Sequence, residues 1–243
     1  MSRLLDRVRA WRQRVYNFNY FNRDQWVAAW AARTPAGAVV LDVGAGPGKY
    51  RGLFAHCDYR AHDFGQEPGT RGRYTRLDYE SDITAIPIAP ASVDLILCTE
   101  VLEHVPEPIL AVKEMARILK PGGRLLLTAP LGSLLHQEPY HFYGGYTPFW
   151  YERFVGEAGF SNLLVEPNQG FFCCMAQENT RMRTLLHPRN TRHLGIAKRL
   201  TTTLFWLVTL PGDWLFPPLA CWLDGLGLER MGTVGYHVSA IRQ

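Results

Sequence analysis

Residues 39–49 read Val-Val-Leu-Asp-Val-Gly-Ala-Gly-Pro-Gly-Lys and carry the strongest indication of the fold. Its apolar half predicts a strand that is buried on both faces of a parallel sheet. Its second half predicts a sharp turn, since Gly44, Gly46 and Gly48 permit unusual backbone angles and let a ligand approach closely. A nucleotide-like ligand at the carboxyl end of this first strand is the physical expectation. The spacing is G-x-G-x-G rather than G-x-G-x-x-G, so a tight turn without a ligand stays an alternative.

Further strands and acidic residues follow the glycine turn. Residues 59–63 predict a second strand that ends in Asp63, about 20 residues after the glycines, where a carboxylate suits the hydroxyls of a ribose. Residues 120–123, Lys-Pro-Gly-Gly, form a strong helix stop. The other elements are predicted as strands ahead of Asp82 and over residues 93–98 and 124–129, and as an amphipathic helix over residues 108–119. Alternating strands and helices predict a doubly wound, mostly parallel sheet.

Taken together, these segments resemble the class I S-adenosylmethionine-dependent methyltransferases, in particular the methyltransferase type 11-like group. The resemblance rests on LDVGAGPG, a D-x-x-x-x-P element at Asp82, CTEVLEHV and LKPGGRLLLTAP, and it covers roughly residues 37–166. It implies an α/β fold with a doubly wound, seven-stranded, mostly parallel Rossmann-like sheet. A sixth strand is predicted over residues 161–167, and residues 235–242 match the antiparallel last strand expected in this family.

The resemblance also implies S-adenosyl-L-methionine as cofactor and S-adenosyl-L-homocysteine as product. It assigns Asp63 to both ribose hydroxyls, and Asp82 with the Ile83 amide to the adenine. Phe64 is expected to flank the adenine ring, and Asp42 to orient the glycine loop. The full set of expected cofactor-binding residues is Asp42, Gly44, Ala45, Gly46, Gly48, Asp63, Phe64, Asp82, Ile83, Thr99 and Glu100.

The acceptor is expected to dock against residues 131–151, because loops at the carboxyl ends of strands carry function in this architecture. His141 is the predicted catalytic base and His136 its competitor, since histidine accepts protons near neutral pH. The alternative is that either ring only ties the loop to backbone carbonyls. The segment PYHFY at 139–143 resembles a subgroup associated with the modification of sugars and surface polysaccharides, which implies O-methylation of a sugar or glycan-type acceptor.

Other functions stay open beside this one. A lipid-like phenol, quinone or polyketide acceptor at a membrane surface is one alternative, and a non-catalytic cofactor-binding scaffold is another. A nicotinamide-dependent oxidoreductase or epimerase is disfavoured, because the sequence lacks both G-x-G-x-x-G and a Tyr-x-x-x-Lys pair. The Glu100-x-x-Glu103-His104 element could hold a divalent metal together with a loop histidine, but we expect no metal site.

Two regions lie outside the predicted core. Residues 1–33 are expected to form amphipathic or capping helices with many arginines. Residues 168–232 form an apolar insertion, predicted as a helical cap beside the PYHFY loop, a dimer contact or a membrane-contact element. Five residues, Pro211, Gly212, Asp213, Pro217 and Pro218, are expected to break any lipid-exposed helix, which argues against a transmembrane segment. The methyltransferase domain is expected over residues 34–167 and 233–243.

Composition sets broader limits. The 243 residues carry a formal net charge of +4, which is too mild to indicate nucleic-acid binding. The five cysteines show no C-x-x-C pair, and no signal-peptide pattern opens the chain, so we expect reduced thiols and a cytoplasmic protein. The expected partners are a small-molecule or glycan acceptor and no nucleic acid, with a homodimer or peripheral contact at the inner membrane face as alternatives.

Overall fold

The computed structural model describes residues 2–65, 77–227 and 232–243. The chain forms two compact units, one of residues 23–168 with 235–243 and one of residues 1–22 with 169–234. In chain order the elements are α1 (Ser2–Tyr16), α2 (Phe18–Ala31), β1 (Val39–Val43), β2 (Asp58–Asp63), β3 (Tyr79–Glu80), β4 (Val93–Thr99), a 3₁₀ turn (Leu102–His104), α3 (Pro108–Ile118), β5 (Leu119–Pro130), α4 (Pro148–Trp150) running on as a π-helical turn (Tyr151–Val155), β6 (Phe160–Pro167), α5 (Phe171–Leu186), α6 (Ile196–Val208), α7 (Leu210–Asp224) and β7 (Gly235–Arg242).

The larger unit contains a seven-stranded sheet in the order β3-β2-β1-β4-β5-β7-β6. The pairs among β1 to β5 are parallel, and β7 runs antiparallel to both β5 and β6. This arrangement confirms the predicted α/β fold with an antiparallel last strand. The order reverses at β1, whose neighbours are β2 and β4. In such sheets a ligand binds outside the carboxyl ends of the strands at this reversal.

Apolar residues of the central strands alternate between two buried clusters. Leu41 and Val43 of β1 belong to one cluster, whereas Val40 belongs to the other. Successive side chains of a strand point to opposite faces of the sheet, so β1 is covered on both sides. The alternation explains why a run of consecutive apolar residues forms this strand, and it fixes the direction in which Asp42 and the glycine turn emerge.

The start of β5 differs from its prediction. The Lys-Pro-Gly-Gly segment at 120–123 does end α3, but it also forms part of β5, which begins at Leu119. Leu119 pairs with Val93, and the register then shifts before Leu95 pairs with Arg124. Gly122 accommodates the irregularity with a φ of 80°. A bulge of this kind keeps an interrupted segment in the sheet, which strand periodicity does not reveal.

The smaller unit has its own apolar cluster, which includes Phe18, Cys173, Ala176, Ala220 and Val234. The amino-terminal end of α5 is held by Asp224 at the end of α7, whose carboxylate accepts three backbone N–H bonds at 3.0 Å, from Gly170, Phe172 and Cys173. These bonds satisfy donors that have no partner within the helix. The sequence-based domain boundaries at 33, 167 and 232 stay a prediction.

The expectation that prolines break a helix in this region is wrong. Pro217 and Pro218 lie inside α7. A proline cannot donate to the carbonyl four residues earlier. For Pro218 that carbonyl belongs to Trp214, and it accepts a hydrogen bond from the Tyr16 hydroxyl at 2.9 Å instead. Ile196–Asp224 is long and apolar enough, by length and composition, to cross a membrane, with 11% of its most apolar window buried.

Candidate functional site

A cleft of about 410 Å³ lies at the carboxyl ends of β1, β2 and β4 in the larger unit. Seven of its lining residues belong to the predicted cofactor set, namely Gly44, Gly46, Asp63, Phe64, Asp82, Ile83 and Glu100, and Pro47 and Val101 lie next to them in the chain. The other lining residues are His62, Thr84, His104, Val105, Pro106, Glu107, Gln137, Tyr140 and Phe142. The cleft therefore joins the glycine turn to the loop that precedes α4.

The glycine turn is held by backbone hydrogen bonds to β2. The amides of Gly44 and Ala45 both donate to the His62 carbonyl at 2.9 Å. Gly44 has a φ of 73°, and a Cβ there would lie 2.3 Å from a Val101 methyl group. Only glycine satisfies both constraints, because side chains disfavour this backbone region and the space is already filled. The turn thus exposes backbone along the floor of the cleft.

Asp63 connects the end of β2 to the glycine turn. Its Oδ2 accepts from the Gly46 amide at 2.8 Å and its Oδ1 from the Gly65 amide at 3.1 Å. A carboxylate oxygen has two acceptor sites, so each oxygen can accept a further bond from a ligand. Phe64, 40% exposed, meets the Tyr140 ring edge-on with centroids 5.6 Å apart.

Asp82 and Ile83 form the side of the cleft next to β3. Asp82 Oδ1 accepts from the Thr84 amide at 2.8 Å and from the Thr84 hydroxyl at 2.7 Å. These bonds close a turn that starts at the aspartate, a common use of this side chain. The turn orients the Asp82 carboxylate while Ile83, 9% exposed, joins the core.

Glu100 follows β4 in a left-handed conformation, with φ 54°. Its Oε1 accepts from the Thr128 hydroxyl at 2.8 Å and lies 3.2 Å from Nη1 of Arg23. Arg23 stands on α2 and is only 7% exposed. No sequence pattern indicates this ion pair, because the two residues are far apart in the chain and nothing near Arg23 identifies Glu100 as its partner.

Four residues of the predicted cofactor set do not line the cleft: Asp42, Ala45, Gly48 and Thr99. Asp42 is 1% exposed and accepts a 2.5 Å hydrogen bond from the Tyr59 hydroxyl. Burial raises the pKa of its carboxyl to about 7. The buried Asp42 carboxyl thus joins β1 to β2 through Tyr59 and is not among the residues that line the cleft.

Three histidines lie together beside the cleft. The ring centroids of His104, His136 and His141 are 4.6 to 5.8 Å apart. His104 lines the cleft, whereas the two predicted base candidates are not among its lining residues. The Phe142 amide donates to the Glu103 carbonyl at 2.9 Å. This bond holds the loop beside His104, although the two segments are more than 30 residues apart in sequence.

Hydrogen bonds assign the protons on these rings. His104 Nδ1 lies 2.5 Å from the Tyr140 carbonyl and His136 Nδ1 lies 2.8 Å from the Leu134 carbonyl, so both Nδ1 atoms donate. The Ser133 hydroxyl donates to Gly144, so His141 Nε2, at 3.0 Å, donates to Ser133. The lone pair of each neutral ring is thus on Nε2 in His104 and His136 and on Nδ1 in His141.

Glu103, His104 and His136 form a group that could hold a metal ion, with ligand atoms within 4.8 Å of one another. Glu103 is 1% exposed, and its Oε2 has no hydrogen-bond partner within the described ranges. Burial, and next the charge of Glu100, raise the pKa of Glu103 to about 8. Glu100 itself is outside the group, because its carboxylate binds Arg23 and Thr128.

Comparisons with known sequences fall on the segment that builds this cleft. A family model described as a methyltransferase domain matches residues 41–127. An uncharacterized methyltransferase of Mycobacterium sp. (strain JLS) is 39% identical over 117 residues, 43% of this chain and 43% of that protein. One of Mycobacteroides abscessus is 34% identical over 134 residues, 48% of this chain and 51% of that protein. The chain thus spans about half the length of these curated relatives, or less.

Solved structures share the architecture at low sequence identity. Phosphoethanolamine N-methyltransferase 2 of Haemonchus contortus, in complex with S-adenosyl-L-methionine, has a TM-score of 0.53 at 15% identity, covering 91% of this chain and 52% of that one. The 4+2 cyclase SpnF has a TM-score of 0.55 at 19% identity, covering 91% and 80%. Likeness at this level establishes fold and leaves chemistry to the site. The chain has the Rossmann-like fold of methyltransferases, and its residues 41–127 match a methyltransferase domain.

Proposed function

We propose that the chain is a class I S-adenosylmethionine-dependent methyltransferase that methylates a hydroxyl group of a sugar or glycan-type acceptor. The observation that carries the proposal is the cleft at the β1 strand reversal, where the glycine turn, Asp63 and Asp82 line one cavity. The relatives named as methyltransferases support the reaction class, since they align with this part of the chain.

The residues of the cleft fit S-adenosylmethionine. Gly46 lines the cleft, and no described atom lies within 4 Å of the position that a Cβ would take there, so the turn has room for the amino-acid end of the cofactor. Asp63 would accept from the ribose hydroxyls, because both of its oxygens keep acceptor capacity. Asp82 would accept from the adenine amino group, and Phe64 would cover one side of the base. Glu100, ion-paired with Arg23, would stand near the ammonium group.

The chain's own contribution to catalysis is positioning and proton removal. The bound cofactor supplies a methyl group that its sulfonium already activates. The protein must hold the acceptor in line with that group, which lowers the barrier by reducing the freedom of the reactants. His141, with Nδ1 as its basic atom, is the proposed proton acceptor, and His104 is the competitor that lines the cleft itself.

The aromatic loop supports a sugar-type acceptor. Tyr140 and Phe142 line the cleft, and the Tyr143 hydroxyl donates to the Pro106 carbonyl at 2.9 Å, which fixes this part of the loop. Flat aromatic side chains offer apolar surface next to polar atoms, a combination that suits the C–H faces and hydroxyls of a sugar. A lipid-like phenol is the second candidate, favoured by the exposed apolar helices α6 and α7.

Titration calorimetry tests the cofactor. We expect S-adenosylmethionine to bind and NAD not to bind. Asp63→Ala should weaken binding by ~1.5–3 kcal/mol, the cost of losing hydrogen bonds to a charged group. Asp58→Ala is the matched control, because Asp58 is at the other end of β2 and pairs with Arg60. Unchanged affinity in Asp63→Ala would remove Asp63 from the site.

Turnover needs its own measurement, since a scaffold without activity would pass the binding test. Transfer of a labelled methyl group should be measured against a panel of nucleotide sugars and oligosaccharides, with phenolic lipids as the second arm. We expect labelled sugar products. Labelling of phenolic lipids alone would replace the acceptor class, and cofactor binding with no product from either arm would favour the scaffold.

A further inference from the structure

We propose that the unit formed by residues 1–22 and 169–234 docks on an anionic lipid surface through the exposed apolar faces of α6 and α7. The inference is independent of methyl transfer, because it concerns a part of the chain that does not line the cleft.

The apolar face of α6 is a regular stripe. Ile196, Leu200, Leu204 and Val208 follow one another at intervals of four residues, and they are 82%, 67%, 63% and 69% exposed. Positions four apart lie on one side of a helix. A contiguous apolar stripe of this length is unusual on a soluble surface and marks an interaction site.

α7 also has an exposed apolar face. Leu215, Leu219 and Trp222 are 69%, 48% and 61% exposed, at spacings of four and three residues. The other side of α7 is fixed inside the unit, where Ala220 packs in a cluster with Cys173 and Ala176 of α5. A helix with one side packed on protein and one side apolar suits the plane of a membrane interface.

The packing of α7 favours lying on the membrane over crossing it. By length and composition Ile196–Asp224 could cross a membrane. However, one side of α7 packs on α5 through Ala220, Cys173 and Ala176, which leaves only part of its circumference for lipid.

Charge identifies the partner as anionic. The unit has twelve Arg and Lys and five Asp and Glu, a formal net charge of +7, whereas the rest of the chain has fourteen and seventeen, a net charge of −3. Asp213 pairs with Arg183, and Asp224 accepts from the amides of α5, so the acids of α7 are occupied internally. Lys198 and Arg199 are exposed beside the stripe of α6.

The basic helix α1 contacts α7 within the unit. Tyr16 at its end donates to the Trp214 carbonyl of α7 at 2.9 Å. Trp11, 50% exposed, and Val8, 47% exposed, alternate along α1 with exposed arginines such as Arg7 and Arg9. Apolar and cationic side chains mixed in this way are typical of helices that bind anionic membranes.

A second copy of the chain is a poorer occupant of the surface, because it would bring a charge of +7 against +7.

Flotation with vesicles tests the proposal, using phosphatidylcholine vesicles with and without one-third phosphatidylglycerol at low salt. We expect binding only to the anionic vesicles. Leu204→Ser with Leu215→Ser should weaken it about a hundredfold, roughly tenfold per buried leucine. Lys198→Gln with Arg199→Gln should weaken it about 25-fold, roughly fivefold per cation near the surface. Circular dichroism verifies that each variant is folded.

Matched controls carry the same changes elsewhere. Leu110→Ser with Leu164→Ser alters leucines that are 44% and 50% exposed in the other unit, and Lys113→Gln with Arg153→Gln removes two cations there. Both should bind vesicles like the wild type. Equal loss in variants and controls, or no binding at low salt, would overturn the proposal. The proposal would also be wrong if light scattering showed that the wild-type chain is a dimer, that Leu204→Ser dissociates this dimer, and that the wild type does not bind vesicles. Cofactor binding in calorimetry is unaffected by any of these outcomes, which separates them from failure of the proposed reaction.

Discussion

His104, His136 and His141 have different hydrogen-bond partners, so substitutions can separate their roles. Burial, and next His136, lower the pKa of His141. A base with a lowered pKa is neutral over a wider pH range. The pH at which kcat/KM falls on the acid side of its profile should therefore lie below the usual pKa of histidine. We expect His141→Ala to cut turnover by ~10²–10⁴ and to leave cofactor affinity nearly intact, as for a positioned acid–base group.

Parallel variants decide between the histidines. His104→Ala should also weaken cofactor binding, since His104 lines the cleft and donates to the Tyr140 carbonyl. His193→Ala, in the other unit, is the control and should be neutral. If only His136→Ala or only His104→Ala shows the turnover loss, His141 is the wrong base. Loss of activity with a chelator, restored by Mg²⁺ or Mn²⁺, would instead support a metal at Glu103, His104 and His136.

Asp42 should make stability depend on pH. Burial raises its pKa from 3.8 to about 7, so the carboxyl stays protonated in the folded chain where the unfolded chain ionises. The contribution of the protonated Asp42 carboxyl to the free energy of unfolding is therefore complete below about pH 4, and it is lost as the pH rises to about 7. In Asp42→Asn the free energy of unfolding, measured in urea from pH 4.5 to 7.5, should fall less than in the wild type.

The control for this measurement is Asp58→Asn, which should follow the wild-type slope. Its hydrogen bond with Arg60 lowers the pKa of Asp58, so its titration lies below the tested range. Glu103, whose pKa is raised to about 8, should keep part of the slope in Asp42→Asn. An unchanged slope in Asp42→Asn would mean that Asp42 is ionised in the folded protein at low pH.

At the scale of elements, the glycine turn depends on backbone conformation as well as on space. Gly44→Ala would place a Cβ 2.3 Å from Val101 Cγ2 at a φ of 73°. The turn must move, and we expect cofactor affinity to fall by more than tenfold. Adding Val101→Ala should restore only part of it, because the left-handed backbone still costs roughly 1–2 kcal/mol. Gly52→Ala is the calorimetric control, because no described atom lies within 4 Å of the position of its Cβ.

The strands could be predicted from the sequence where their apolar residues follow the pattern of burial. β1 lies in the apolar run where a strand is predicted, and β7 has the predicted bounds, because consecutive or alternating apolar residues identify a strand covered on both faces. β5 begins five residues early, since a bulge that depends on pairing with β4 keeps Lys-Pro-Gly-Gly in the sheet. Within the helix through Pro217 and Pro218, the Trp214 carbonyl accepts from the hydroxyl of Tyr16, about 200 residues away in sequence, and no local pattern reveals that partner.

Prediction of the site from the sequence has the same limit, because contacts between distant segments have no local pattern. Gly44, Asp63 and Asp82 could be placed together from sequence, because each lies at the end of a strand or just after it. His104 in the cleft and Arg23 on Glu100 could not, since both depend on how distant segments pack against the strand ends. Resemblance identified the residue types of the site, while side-chain geometry identified which of them reach the cleft.

In the whole molecule, the two units differ in net charge and in the ligands that we propose for them. The unit with the cleft has a net charge of −3, and the unit with α5, α6 and α7 has +7. Each unit has an apolar cluster of its own residues. A ligand stabilises the part of a protein to which it binds. The two units can therefore respond differently to a cofactor and to a membrane.

Hydrogen exchange followed by mass spectrometry can read out that difference. We expect S-adenosylmethionine to protect the segments that build the cleft, around residues 44–48, 61–65, 82–84 and 99–107, because binding suppresses the local openings that allow exchange. Anionic vesicles should instead protect α6 and α7. Asp63→Ala should abolish the first pattern and keep the second, which makes it the matched control. Cofactor-induced protection that extends to α5, α6 and α7 would support the cap predicted from the sequence for residues 168–232, whereas its absence from residues 44–48 would contradict the assignment of the cleft.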